Sequence, residues 1–437
     1  MAKEIKHIND TVSDLPESFK MTELGPLPEE WKVVRLGKVV KTTKGKRPKD
    51  LLSKFSSKTI PYLTADFFRT GVASKYVSLE KKDYVEVGKD DIIFIWDGSN
   101  AGDVFLGVEG ALASTMIKIE PLINVDKRFL FFFLKTKFEL FNSTTTGTTI
   151  PHVNKSIFEN LLVPLPPLSE QKAIAYVLQT VQRAKEATEK VIQATQELKK
   201  SLMRHLFTYG PVPIDEVDKV QLKETEIGLV PEHWEVVRLG EVSLKPQYGF
   251  TASATNQPIG PKFLRITDIQ NGRINWNTVP YCKIDDTLLR KYQLESGDLL
   301  FARIGATTGK SVLINECPEA VFASYLIRVR VNLNQLLPEF LFYFTQGNLY
   351  WSQIDAAKGG RLKQGINIPV LLSLHIPLPP LHEQQTIAHI LQTVDQKIQA
   401  EKAKKQALEI LFQSLLHHLT TGKLRLKDMV LSEAKEA

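Results

Sequence analysis

Cysteine is almost missing from this chain: 437 residues hold two, Cys282 and Cys317, both in the second half. That argues against a disulfide framework and makes the cytosol the expected compartment. Long apolar runs are missing too. No window approaches the roughly 18 uninterrupted apolar residues of a spanning helix, and the richest, Phe129 to Leu134, is short and flanked by lysines. The start, Met1-Ala2-Lys3-Glu4, has no apolar run after its charges, so a secretory leader is not expected. Neither sign of charge dominates strongly. The formal +7 suits an anionic partner such as nucleic acid without requiring one.

Enzyme signatures are equally sparse. Gly305-Ala-Thr-Thr-Gly309-Lys310-Ser311 resembles a phosphate-binding loop but has one residue too few between its glycines, and no acidic strand follows in an obvious place. It reads as a polar turn. There is no Asn-Pro-Pro-aromatic run of the amino-methyltransferase kind and no glycine-rich cofactor fingerprint after a strand. Asp66, Glu80 and Lys82 could mimic a nuclease set, but such triples also arise by chance on solvated loops. His205, His417 and His418 lie near the ends of helical patterns without metal-ligand spacing.

What is present is a repetition. LPPLSEQKAIAYVLQTV, Leu165 to Val181, returns as LPPLHEQQTIAHILQTV, Leu378 to Val394, with 12 of 17 positions identical. Each half opens on a second marker, PEEWKVVRLGKVV from Pro28 and PEHWEVVRLGEVS from Pro231. The tryptophans Trp31 and Trp234 are offset by 203 and the closing leucines Leu165 and Leu378 by 213, so the second half gains ten residues between its markers. Fixed ends around divergent middles are the informative pattern. The middles contain short apolar runs that suit buried strands, Asp91–Ile95 and Asp298–Ala302, then Ala113–Ile119 and Ala323–Val329. The aromatic-rich stretches Lys127–Lys137 and Pro338–Gly347 read as helical. Each middle is expected to be a compact α+β domain of roughly 150 residues.

After each Leu-Pro-Pro-Leu the pattern turns helical, with Ser169 as a plausible N-cap and Glu170 suited to the helix dipole. Ile174, Val177, Val181, Ala184, Thr188, Val191, Thr195, Leu198 and Leu202 recur at intervals of three and four, a seam of period 3.5. A helix from about Glu170 to Phe207 would be on the order of 57 Å long. The second copy offers Ile387, Leu391, Val394 and Ile398, then Leu408, Phe412, Leu415 and Leu419, with a polar middle around Glu401 to Lys405. The expected architecture is two mixed α/β domains separated by two long, antiparallel, coiled-coil-like helices related by pseudo-two-fold duplication. The alternative is two separate helical tails, one per domain. The boundaries expected are a lead-in over 1–19, a first domain over 20–164, a central helix over 165–210, a second domain over 211–377, a distal helix over 378–422 and a polar tail over 423–437.

Nucleic-acid features are the strongest chemical signal. Lys41, Lys44, Lys46, Arg47, Lys49, Lys54 and Lys58 fall within eighteen residues, opposed only by Asp50 and interleaved with hydroxyls. Cations on a flexible loop of this kind suit phosphates, although charge runs are often merely solvated. The matching zone of the second half is not basic and offers Gln247 and Tyr248, better suited to base edges or stacking. A second candidate loop precedes each Leu-Pro-Pro-Leu. It carries Thr148, Thr149 and Asn154 in the first half and Lys358, Arg361, Lys363, Gln364 and Asn367 in the second, with Gly147 and Gly360 aligned. Such residues can read phosphates or groove edges, whereas the glycines alone equally suit a turn.

The paired Pro-Leu-Pro-Pro-Leu-x-Glu-Gln openings (Pro164 to Gln171, Pro377 to Gln384) resemble conserved regions of the specificity subunit of type I restriction–modification enzymes. So do the Trp-x-Val-Val-x-Leu-Gly openings and the variable blocks, and the likeness runs from about Lys20 to Gly422. The resemblance implies two target-recognition domains, each reading half of a bipartite DNA site, and a helix pair acting as spacer. It implies a chain without catalysis of its own, assembled with two modification (methyltransferase) subunits and with restriction subunits. S-adenosylmethionine, ATP and magnesium would be used by those partners, and no cofactor or metal is expected here. A stand-alone magnesium-dependent nuclease and a non-DNA interaction scaffold are the competing readings.

Overall fold

The computed structural model describes residues 18–426 except 81, 123, 148, 271 and 359–364. It divides into two compact units, Met1–Glu189 with Ala403–Ala437, and Lys190–Lys402. Each long helix gives one part to each unit. No helix among the described residues is long and apolar enough to cross a membrane.

The two sequence markers of each half meet in space. Lys32–Arg35, just after Trp31, pairs antiparallel with Leu162–Leu165, and Glu235–Arg238 pairs the same way with His375–Leu378. Two prolines without amide donors then end the strand, and the central helix runs Leu168–Tyr209, the distal helix Leu381–Thr420. Ser169 therefore lies inside the first turn and is not the N-cap. The repeated Glu-Gln explains why this stretch is kept. The buried indole N–H of Trp31 donates to Glu170 Oε2 at 3.0 Å, and that of Trp234 donates to Glu383 Oε2 at 2.8 Å. Gln171 donates to the carbonyls of Asn124 and Pro166 and accepts from Asp126 N. Gln384 does the same with Gln335, Pro379 and Leu337 N. A buried amide with all its partners ties three chain segments together in each unit.

Against these ends pack the aromatic helices Lys127–Lys135 and Pro338–Phe344. Phe129 to Leu134 join Ile174, Leu178, Phe412 and Leu416 in the first core. Phe340, Leu341 and Phe344 join Leu206, Phe207, Ile387 and Leu391 in the second.

Within the first unit Lys185 pairs with Glu409 and Glu189 with Lys405. Within the second, Lys199 pairs with Asp395 at 2.8 Å. In the first unit rising numbers on one helix meet falling ones on the other, so the two segments run antiparallel there. Of the nine positions in the apolar reading, Ile174, Val177, Val181, Ala184, Thr188, Thr195 and Leu202 are buried or half-buried, and Val191 and Leu198 are 41% and 52% exposed. Leu178, Lys185, Ile192, Lys199 and Leu206, also seven apart, are buried or half-buried as well. Apolarity does not reveal Lys185 and Lys199, each paired with an acid on the other helix. On the distal helix Ile387, Leu391, Ile398 and Phe412 are buried, with Val394, Leu408 and Leu415 half-buried.

The divergent middles share the strand order of their main sheet. In the first unit a four-stranded sheet runs Val40–Lys44, Met116–Pro121, Ile92–Ile95, Val104–Leu106. In the second it runs Gln247–Tyr248, Leu326–Val329, Leu299–Ala302, Ser311–Leu313. A parallel pair adjoins each, Thr59–Leu63 with Gly110–Leu112 and Lys262–Leu264 with Ala320–Phe322. Strand register locates the ten extra residues. Lys44 and Tyr248 face Ile117 and Ile327, while Ile92 and Leu299 face Ile119 and Val329. The offsets climb from 203 at the tryptophans through 204, 207 and 210 to 213 at the closing strands, so the gain is spread over several loops.

Candidate nucleic-acid interface

A backbone crossing fixes the equivalent edge of both units. A Cβ on Gly45 would lie 2.0 Å from the Ala113 carbonyl oxygen, and one on Gly249 would lie 2.2 Å from that of Ala323. Only glycine allows that approach. It places Lys44 and Tyr248, the residues just before, at corresponding points of the two sheets.

What surrounds those points differs. In the first unit Lys44 Nζ lies 3.2 Å from Asp97 Oδ2, and His152 Nδ1 lies 2.6 Å from Asp97 Oδ1. In the second unit the positions matching Trp96 and Asp97 are Arg303 and Ile304. The Arg303 guanidinium lies over the Tyr248 ring, 4.7 Å from its centroid, and the Tyr248 hydroxyl accepts from Ile368 N at 3.2 Å. A Lys–Asp–His cluster occupies one edge and a cation–π pair the other.

The basic run is less of a loop than its composition suggested. Lys41 and Lys44 belong to the strand Val40–Lys44. Lys44 is tied to Asp97, and Lys58 forms a 3.0 Å pair with Glu80. Lys46, Arg47, Lys49 and Lys54 are exposed and remain suited to phosphates. Other singled-out residues have structural work. Asn154 Oδ1 accepts from Ser156 N and Ile157 N, and Asn367 Oδ1 accepts from Val370 N. Both asparagines are N-caps of short helices. Gln247 accepts a hydrogen bond from Arg328, a buried guanidinium on the neighbouring strand. Lys358 pairs with Asp355 at 3.3 Å and lies over the Trp351 ring. Thr149 is exposed. Thr148, Arg361, Lys363 and Gln364 lie outside the described residues.

Asp97, His152 and Arg303 escaped the sequence reading. They follow buried strands or sit in a threonine-rich turn, and only the strand register, with its glycine pair, aligns them. Of the nuclease-like set, Asp66 is highly exposed beside Arg69, and Glu80 faces Lys58. Among the described residues no cluster of three His, Cys, Asp or Glu could hold a metal. Gly305–Thr307 is one 3-10 turn closed by the Thr308 hydroxyl on the Gly305 carbonyl, as a polar turn should be.

Comparison with known proteins matches this architecture. The sequence model described as type I restriction modification DNA specificity domain fits residues 28–200 and 231–410. The specificity subunit of the type I restriction enzyme MjaVIII of Methanocaldococcus jannaschii is 35% identical over 406 residues, 90% of this chain and 93% of that protein. The EcoBI specificity subunit of Escherichia coli is 24% identical over 72% of this chain and 69% of its own length. In fold, the chain is similar to the crystal structure of the S subunit of a type I restriction–modification system from M. genitalium. The TM-score is 0.63 at 17% identity, covering 93% of this chain and 97% of that one.

Proposed function

Since the chain belongs to the type I restriction modification DNA specificity family, we propose that its two domains read the two halves of a bipartite DNA target. The chain is the non-catalytic recognition subunit of its system. In this reading the helix pair sets the gap between half-sites and docks two modification subunits, with restriction subunits completing the complex. S-adenosylmethionine, ATP and magnesium chemistry would reside on those partners in the cytoplasm.

One observation carries the reading: the same strand order presents Lys44–Asp97–His152 at one edge and Tyr248–Arg303 at the other. Equal scaffolds with unequal tips are what two different half-sites require. The exposed cations Lys46 and Arg47 would position the backbone, and Tyr248 with Arg361 would lean toward readout.

A spacer predicts a length dependence. Half-sites one helical turn apart are separated by roughly 34–36 Å. Removing a heptad from both helices, Thr188–Ala194 with Glu401–Ala407, shortens each by about 10.5 Å at 1.5 Å per residue. The recognised gap should shrink by about three base pairs, at about 3.4 Å each. The measurement is the map of methylated bases in a host carrying the variant and its methyltransferase. An unchanged gap would refute the spacer.

A further inference from the structure

We infer that Arg303 is a specificity-determining residue of the second domain and that it selects guanine in the half-site which that domain reads. The inference rests on the reading that this domain contacts DNA, and it deepens that reading by naming one base and the group that recognises it.

Three observations converge on Arg303. The residue follows the buried strand Leu299–Ala302 and is pinned by its backbone, its N–H donating to Tyr325 O at 3.0 Å and its carbonyl accepting from Ile366 N at 2.8 Å. The carbonyl is approached so closely by Gly365 that a Cβ there would lie 2.4 Å away. The side chain is equally constrained. Its plane lies over Tyr248, and one terminal nitrogen reaches the Ser324 carbonyl at 3.5 Å. Yet its Nε is buried with no hydrogen-bond partner among the described residues.

A guanidinium has five donors in a rigid fork. Here the aromatic ring fixes the fork's plane, while the Ser324 contact is long and weak. The buried Arg328 makes three hydrogen bonds through its terminal nitrogens, to Gln293 O, Lys291 O and Gln247. Arg303 is instead pre-oriented by Tyr248, and among the described residues its terminal nitrogens make only the one long contact to Ser324 O. The planar partner that accepts two parallel N–H bonds on duplex DNA is the O6/N7 edge of guanine in the major groove. The exposed neighbours Tyr248 and Tyr325, at 36% and 55%, provide a partly apolar, open surround rather than a competing acid. The first unit has Trp96 at the matching place, so the preference should belong to one half-site only.

The test is selection of duplexes from a randomised double-stranded pool by the full chain and by R303A, R303K and Y248A, with thermal unfolding as a fold control. The wild type should enrich a bipartite motif, and R303A should lose a roughly 5- to 150-fold guanine preference at one position of one half-site. The other half-site should be unchanged. R303K, which keeps the charge but not the planar fork, should retain overall affinity and only part of the preference, since lysine can also reach guanine O6 and N7. Y248A should weaken it. A motif unaltered by R303A would overturn the role of Arg303 while leaving two-domain recognition intact. Failure of the wild type to enrich any motif would instead overturn the underlying reading.

Discussion

Glu170 and Glu383 occupy the same place in the two units and are secured differently. Both accept an indole N–H, from Trp31 and Trp234. Glu170 then takes a two-pronged contact from Arg425, Nε at 2.7 Å and Nη2 at 2.8 Å. Glu383 takes His233 Nε2 at 2.8 Å. The arginine comes from beyond the distal helix, 255 residues along the chain, whereas the histidine is next to its own tryptophan. Thus the first unit is completed only by the far end of the polypeptide, and the second is closed from within. One duplicated lock therefore has two dependencies. The first needs a distant cation that is permanently charged, and the second needs a nearby ring.

The comparison breaks if those cations matter equally. Glu170 is 3% exposed, so R425A would strand a buried carboxylate. The expected loss is toward the lower end of roughly 3–5 kcal/mol because Arg425 itself reaches solvent. H233A should cost roughly 0–1 kcal/mol, since that ring is largely exposed. Hydrogen exchange followed peptide by peptide would place the first loss around Trp31 and Glu170. Equal losses would abolish the asymmetry. Acid adds a second reading. Burial works to raise the Glu170 carboxyl, but hydrogen bonds from Arg425, Trp31 and Leu426 N outweigh it and hold the group below its ordinary range. A lowered folded-state pKa stabilises above the unfolded value of about 4.3 and is lost as pH falls through the folded value. R425A should therefore unfold at a higher pH than the wild type on acid titration.

A smaller effect separates the two seam lysines. Lys199 is 16% exposed and bridges Asp395, Gln346 and the Tyr343 ring, and Tyr343 also donates to Asp395. Replacing it, as in K199M, removes charged hydrogen bonds from a partly buried acid and should cost about 1–3 kcal/mol. Lys185 is as covered, but its partner Glu409 is 46% exposed and can rehydrate. K185M should cost roughly 0–1 kcal/mol, with the methionine stem keeping its packing near Phe412. Urea unfolding of the two variants decides it. A larger loss for K185M would mean that the seam is not graded as its burial indicates.

The repeated ends were readable from sequence because identical residues perform identical tasks there: tryptophan on glutamate, glutamine across three segments. The helix pair was readable as a period, with Val191 and Leu198 exposed and the two seam lysines unread. Hydrophobic spacing cannot reveal a charged seam residue whose acid is contributed by another helix. The strands were visible as apolar runs, but not their shared order, which depends on pairings between segments of unlike sequence. At the tips Lys44 and Tyr248 stood out by residue type. Arg303, Asp97 and His152 did not, because their meaning comes from which backbone they sit on. Asn154 and Asn367, singled out by residue type, also carry a local task that spacing does not show, since a polar side chain before a short helix satisfies the backbone.

The finest distinction lies within the basic stretch itself. Lys44 must give up its attraction to Asp97 before its charge serves a phosphate, while Lys46 and Arg47 are exposed. Each cation that neutralises a phosphate contributes about 0.9 to the slope of log affinity against log salt. K46A or R47A should flatten that slope by about 0.9 on duplexes of any sequence. K44A should flatten it by less, because the lysine is already balanced and its removal leaves the Asp97 carboxylate without it at that edge. Titrations at several salt concentrations resolve slopes even where single affinities barely move. If K44A flattened the slope as much as K46A, the Lys44–Asp97 pair would open on binding, and the first edge would present free charge as the second presents Arg303.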